Sequence, residues 1–459
     1  MNISKTIAGA ACSAFFLIAT VGCSKNDINE PTYPYPRQQL KRVCSSFDNR
    51  KVLLFYECGF NNLSPYLKDN MDSREKGLPA GYVPPKSGDV ILIYSKHPKS
   101  GSGYGPSESH LRRLYKKLDG EIVSDTLRTF GTDVVASSSS TMREILNFVK
   151  DEYPAKGYGM VFSSHGSGWL PAGYYASPSR FEADPDRQIS SGMSALARQA
   201  QPEDRMERLP VPAGDISETD PYYGLTRSLG QDIIRSDLYY GHEMSVSEFA
   251  DGIPFHLDYI LFDMCFTAGV EVAYGLKDKA DYLGLSPAEV LGDGMFDYTK
   301  LTSFLINRQN PDLEGLFKDS FNMYDRQDGV YRSSTVNVIR TEGLDNLASV
   351  CGKLIKEYSD TLAKAPASDI QGYFRQGRHY FYDLVDIFSK CGASQEELAM
   401  LNDAVNRCVV YKNATEYFMN DFKITSYSGF SMYLPCAGTP LLDSYYKKEA
   451  WNKATGFVQ

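Results

Sequence analysis

Apolar residues in this chain gather in short runs, and the order of the runs predicts strands alternating with helices. Lys51-Val52-Leu53-Leu54-Phe55-Tyr56 stops before the turn-forming Gly59 and Asn61-Asn62, as a buried strand does. A second strand is expected over residues 89–94. Residues 141–153 place Met142, Ile145, Leu146 and Val149 at helical spacing, and Pro154 closes that helix. Residues 158–163, 257–262 and 280–285 read as further strands, with a helix over 268–277 between the last two. Strands separated by helices imply an α/β class, with a mainly parallel sheet covered on both faces.

Between the third and fourth strands, residues 171–241 are polar, rich in Ser, Pro, Asp and Arg, and lack sustained periodicity. A loop that long is expected to be either functional or a solvated insertion. It holds Arg180, Arg187, Arg198, Arg205, Arg208 and Arg227. Beyond Tyr298 the pattern turns more helical, most clearly over 344–356 and 395–408, and residues 428–434 read as a late strand. No repeat of solenoid period is present. At 459 residues the chain exceeds the size at which one core usually stops growing. The division expected is a core over residues 46–300, which includes the 171–241 loop, and a more helical region over 301–459 that completes the fold.

The N-terminus changes the picture. Lys5 is followed by small and apolar residues up to Val21-Gly22-Cys23, too few for a confident membrane span, and polar residues follow at once. Residues 1–22 are expected to be a cleaved export signal. The small residues leading into Cys23 resemble the lipobox of bacterial lipoproteins, which implies acylation of Cys23 and a tether over residues 23–45. The expected location is outside the cytoplasm, membrane-anchored, at the periplasm or cell surface. A net charge of −9 without basic runs argues against a nucleic-acid partner and suits a basic substrate.

Nine cysteines would become seven after loss of Cys12 and lipidation of Cys23, and an odd number cannot all pair within the chain. Cys265 is the candidate for a thiol with a chemical role. The other six, Cys44, Cys58, Cys351, Cys391, Cys408 and Cys436, are expected to be buried small residues or halves of disulfides, and none forms the CxxC spacing of a zinc site.

Ligand sites in parallel sheets collect at the carboxyl ends of the strands. One strand ends in Ser163-Ser164-His165-Gly166-Ser167-Gly168-Trp169 and its successor in Asp263-Met264-Cys265. A free thiol, with a pKa of about 8.5, is mostly protonated at neutral pH, so a nearby imidazole is needed to form the nucleophilic thiolate and to protonate a leaving amine. His165 suits that role. The amides of Gly166 and Cys265 are candidate donors to an oxyanion, and a helix following Cys265 would favour the thiolate through its dipole. The remaining histidines, His97, His110, His242, His256 and His379, lack a comparable glycine-rich strand end and are expected at the surface or in packing. Trp169 is expected to pack rather than to line a cleft.

These blocks, followed by Gly269-Val270-Glu271-Val272-Ala273-Tyr274, Ala280-Asp281-Tyr282, Ser286-Pro287-Ala288-Glu289 and Gly292-Asp293-Gly294, resemble the signature blocks of the clostripain family of cysteine peptidases. Weaker likeness extends to Leu53-Leu54-Phe55-Tyr56, His379-Tyr380-Phe381-Tyr382-Asp383-Leu384 and residues 428–435. The resemblance implies a caspase-like fold, shared with gingipains and legumains, a His165 and Cys265 dyad, and an acidic first pocket for arginine or lysine formed by Asp263 and Asp293. Paired carboxylates would hold a guanidinium by charge-assisted, bidentate bonds. Some relatives use calcium, but no acidic loop here has EF-hand spacing, and no obligatory metal or other cofactor is expected.

The function expected is therefore an endopeptidase that cleaves protein or peptide substrates after arginine or lysine through a thioester, with arginines of the 171–241 loop as candidate self-processing sites. The competing expectations are a catalytically silent, lipid-anchored binding protein of the same fold, and an acyl hydrolase or transpeptidase using the same dyad.

Overall fold

The computed structural model describes residues 50–79, 88–99, 105–171, 174, 229–235, 240–375 and 380–459. The export signal, Cys23, Cys44, the six loop arginines and His379 lie outside the described residues. Twelve strands are needed to describe the site: β1 (Lys51–Cys58), β2 (Val90–Lys96), β3 (Ser109–Lys116), β4 (Ile122–Phe130), β5 (Gly157–Ser163), β6 (Leu229–Arg235), β7 (Tyr240–Met244), β8 (Leu257–Asp263), β9 (Ala280–Leu285), β10 (Thr335–Arg340), β11 (Tyr382–Asp383) and β12 (Val409–Ala414). Nine of them form one sheet in the order β12-β10-β9-β8-β5-β1-β2-β3-β4.

The middle of the sheet, β9-β8-β5-β1-β2, is parallel throughout. These are the five runs expected from the sequence. Antiparallel strands extend both edges, β3 and β4 beside β2, and β10 and β12 beside β9. The chain beyond residue 300 thus supplies two strands of the sheet as well as helices.

Alternation within β1 divides the core in two. Val52, Leu54 and Tyr56 face one apolar layer, while Leu53 and Phe55 face the other. The first layer is closed by the Ser139–Glu152, Val246–Gly252, Val270–Gly275 and Leu344–Glu357 helices, and the second by Tyr298–Leu305 and Leu313–Asp325. Burying each such side chain stabilises the fold by roughly 1.5–3 kcal/mol, before the entropy of ordering it is subtracted. The Ser139–Glu152 helix starts where Ser138 accepts a bond from the Thr141 amide, buries the four apolar positions named above, and ends ahead of Pro154.

Three expectations need correction. Residues 229–235 and 240–241, placed in the long loop, belong to an antiparallel hairpin of β6 and β7, which reaches on to Met244. The helix expected over 268–277 spans only Val270–Gly275, with Gly269 at its N-terminal boundary, so Cys265 lies outside its first turn. A macrodipole falls off within that turn and does not account for the state of the thiol. The late strand over 428–434 is reduced to Ser431–Met432, paired with β11.

Candidate active site

β5 and β8 are parallel neighbours in a register that pairs Ser163 with Asp263. His165 and Cys265 therefore each lie two residues past a paired position, on the same carboxyl edge of the sheet. The two exits approach closely, since a Cβ added to Gly166 would lie 2.6 Å from the Cys265 carbonyl oxygen. Only glycine fits there. Gly166 also pairs with Leu229 in an isolated antiparallel bridge, and the Gly230 amide donates to the His165 carbonyl at 3.1 Å.

The His165 side chain is buried, and its Nε2 meets Oδ1 of Asn62. An accepting Oδ1 selects the tautomer with the proton on Nε2 and Nδ1 unprotonated. Asn62 is held by its neighbours. Asn61 donates to the carbonyls of Cys58 at 2.8 Å and Gln231 at 2.9 Å, and accepts from the Leu63 amide at 2.9 Å. Ser164 donates to the same Cys58 carbonyl and accepts from the Gln231 amide at 3.1 Å. This network ties the ends of β1, β5 and β6 together around the imidazole. The sequence marks Asn61 and Asn62 only as turn formers.

Cys265 is partly buried and free. Its sulfur accepts from the Val290 amide at 3.2 Å, with the Val290 carbonyl at 3.8 Å. Burial and the charge of Glu289 push the thiol up to about 12. At rest it is protonated, and ionisation requires a base. The next residue, Phe266, has φ of 57°, a left-handed conformation costly for a bulky side chain. Its ring is stacked on Phe381 at 4.7 Å, and its amide donates to the Ala288 carbonyl at 2.9 Å. Packing thus holds the turn that presents the thiol.

Asp263 is buried. One carboxylate oxygen accepts from the Met295 amide at 2.6 Å and the other from the Tyr298 hydroxyl. Burial pushes its carboxyl up, while these bonds and one from Ser163 pull it down. Asp293 is exposed and lines a cavity of about 270 Å³ together with Tyr66, Asp69, Asn70, Asp297 and Tyr298. The two aspartates are not brought together in one wall. Asp263 does not line the cavity, whereas Tyr298 does, and its hydroxyl bonds Asp263.

Trp169 is packed between Tyr433 and Tyr446, at ring distances of 4.6 and 4.9 Å. Cys58, Cys351, Cys391, Cys408 and Cys436 are all free, so none of these forms a disulfide, and only Cys436 is exposed. Among the described residues, no group of three or more His, Cys, Asp or Glu side chains could hold a metal ion, and no helix is long and apolar enough to cross a membrane.

A histidine and a thiol at adjacent strand ends of a parallel sheet, with a polar side chain on the imidazole, define the class of α/β cysteine peptidases. Residues 55–181 and 214–453 match the clostripain family model, and the chain belongs to that family. The fold is similar to that of an inactive zymogen C11 protease from Parabacteroides distasonis, with 24% identity, a TM-score of 0.66, and 90% of this chain and 99% of that one covered. A secreted C11 cysteine protease from Bacteroides thetaiotaomicron, iotapain, shows 25% identity and a TM-score of 0.63, with 89% and 99% covered. A secreted C11 cysteine protease from the same organism, in complex with an irreversible peptide inhibitor, has 21% identity and a TM-score of 0.63, with 89% and 98% covered. No curated protein matches the chain. The fold is caspase-like, and the protein is a cysteine peptidase.

Proposed function

We propose that this peptidase cleaves after arginine or lysine, with Cys265 as nucleophile and His165 as general acid and base. The observation that carries the reading is the shared register, which brings both residues out two positions beyond one pair on neighbouring strands. Nδ1 of His165 takes the thiol proton as sulfur attacks the scissile carbonyl, and the amides of Gly166 and Cys265 donate to the oxyanion. The imidazolium then gives its proton to the leaving amine, which leaves a thioester on Cys265. Water, deprotonated by the same imidazole, attacks the thioester and releases the acid and the thiol. Asn62 keeps the ring in the tautomer this sequence of transfers needs.

The acidic cavity supports the choice of a basic side chain. Asp293 faces the substrate directly, and Asp263 adds negative charge beside Tyr298. No metal or other cofactor is required by these steps. Cleavage of the chain itself after an arginine of residues 171–241 is consistent with the same preference.

The peptidase is exported and held to the membrane through a lipid on Cys23, a reading supported by the N-terminal sequence and by the secreted relative from Bacteroides thetaiotaomicron. Residues 46–300 carry the catalytic core, and residues 301–459 complete it.

Fluorogenic peptides ending in arginine, lysine, alanine or aspartate test the specificity, with Cys265→Ala as the control. Hydrolysis of the arginine or lysine peptides alone, lost in the variant, is the expected result. Failure to cleave any of them, even after proteolytic nicking of the long loop, would favour a binding protein of the same fold.

A further inference from the structure

Glu289 directly precedes Val290, the residue whose amide bonds the Cys265 sulfur. Its carboxylate is an unfavourable neighbour, because a negative charge opposes formation of a thiolate. Arg375 meets it in a bidentate pair, Nε to one oxygen at 2.5 Å and a terminal nitrogen to the other at 3.0 Å. Both side chains are largely excluded from water, at 2% and 10% exposure. Burying a guanidinium is costly unless it is paired in good geometry, as this one is. The segment carrying Arg375 also braces the nucleophile's own turn, since the Phe374 ring packs 5.3 Å from that of Phe266. Three charged groups act on the thiol. Glu289 and Asp263 oppose its ionisation, Arg375 favours it, and Asp263 is already engaged by Met295 and Tyr298. His165 exits the adjacent strand.

We propose that Arg375 is a positioning residue of the peptidase, which masks the charge of Glu289 and so keeps the Cys265 thiol within reach of its base. The proposal rests on the reading of Cys265 as nucleophile. It assigns a role in the reaction to a segment more than a hundred residues along the chain from the thiol, without contact between Arg375 and substrate.

The test is the rate at which iodoacetamide alkylates Cys265 in the full-length protein at about pH 9, followed by mass spectrometry of the Cys265 peptide. Alkylation reports the thiolate fraction directly and needs no peptidase activity. Arg375→Met is expected to slow it roughly 10-fold, corresponding to about one pKa unit, with Arg375→Lys in between. Glu289→Gln should speed it, and the double variant should recover at least the original rate. A purely structural role for the pair would lower the melting temperature and leave the alkylation rate unchanged, which would overturn the proposal. If Arg375→Met does not fold, Glu289→Gln decides alone, and an unchanged rate in that variant has the same meaning. Peptidase activity surviving in Cys265→Ala would sink the nucleophile assignment instead, and is distinguished by that assay.

Discussion

Nε2 of His165 is bonded to Oδ1 of Asn62, a side chain 103 residues earlier in the chain that belongs to the turn after β1. The contact fixes which nitrogen of the ring carries the proton. Asn62→Ala should lower kcat about 10- to 100-fold with little change in KM, because proton transfer is disturbed and substrate contacts are not. Asn62→Asp should move the acid limb of the pH profile to higher pH, since a carboxylate partner stabilises the imidazolium and raises its pKa. Steady-state kinetics across pH check both, and an unmoved acid limb would count against the assigned tautomer.

Asp263 and Asp293 should separate experimentally. Asp293→Asn, on an exposed residue, is expected to leave the melting temperature unchanged and to lower kcat/KM for arginine and lysine peptides about 10- to 100-fold, as loss of a charge-assisted bond does. Asp263→Asn should reduce thermal stability as well, because its oxygens accept from the Met295 amide and the Tyr298 hydroxyl. Equal stability of the two variants would contradict this division.

Phe266 combines a left-handed backbone with a fully buried ring. Phe266→Ala is expected to cost about 3–5 kcal/mol in stability through the lost packing against Phe374 and Phe381, measured by denaturant unfolding. Peptidase activity should fall further than stability explains, since the turn presents the thiol.

Glu271 gives a stability dependence on pH. It is buried, one oxygen accepts from the Tyr433 amide and the Tyr446 hydroxyl, and burial pushes its carboxyl up to about 7. Such a group binds its proton more tightly in the folded state, so the unfolded chain loses it first as pH rises. Stability should therefore decline from the usual carboxylate range up to about pH 7. Glu271→Gln keeps an acceptor for both donors and removes the titration. Its melting temperature should fall less over that range, and an identical slope in the two proteins would refute the assignment.

The lipid anchor predicts that labelled palmitate is incorporated during expression in a bacterial host and that Cys23→Ala abolishes the label. Persistence of the label in the variant would place any acyl group elsewhere.

The parallel centre of the sheet was legible because β1 and β2 are buried along nearly their whole length, and β5, β8 and β9 each keep a run of buried, mostly apolar positions. β4, with Ser124, Asp125, Arg128 and Thr129 among its nine residues, shows mostly exposed and half-buried positions and gives no such run. β12 is half-buried along its whole length and follows directly on a helix, so nothing in its apolar pattern marks the change. The strand ends that carry His165 and Cys265 were legible because an apolar run and its stop are local properties. The contacts of Asn62 and Arg375 were not, since each joins a residue far away in the chain, and neither residue type is distinctive by itself.

The packing around Trp169 has a consequence for biosynthesis. Its indole is closed over by Tyr433 and Tyr446, and Phe381 stacks on Phe266, the residue after Cys265. These aromatic side chains leave the ribosome long after β5 and β8. A nascent chain that ends before these residues lacks the rings that pack against Trp169 and Phe266, so the turns after β5 and β8 gain their full support only when synthesis is nearly finished.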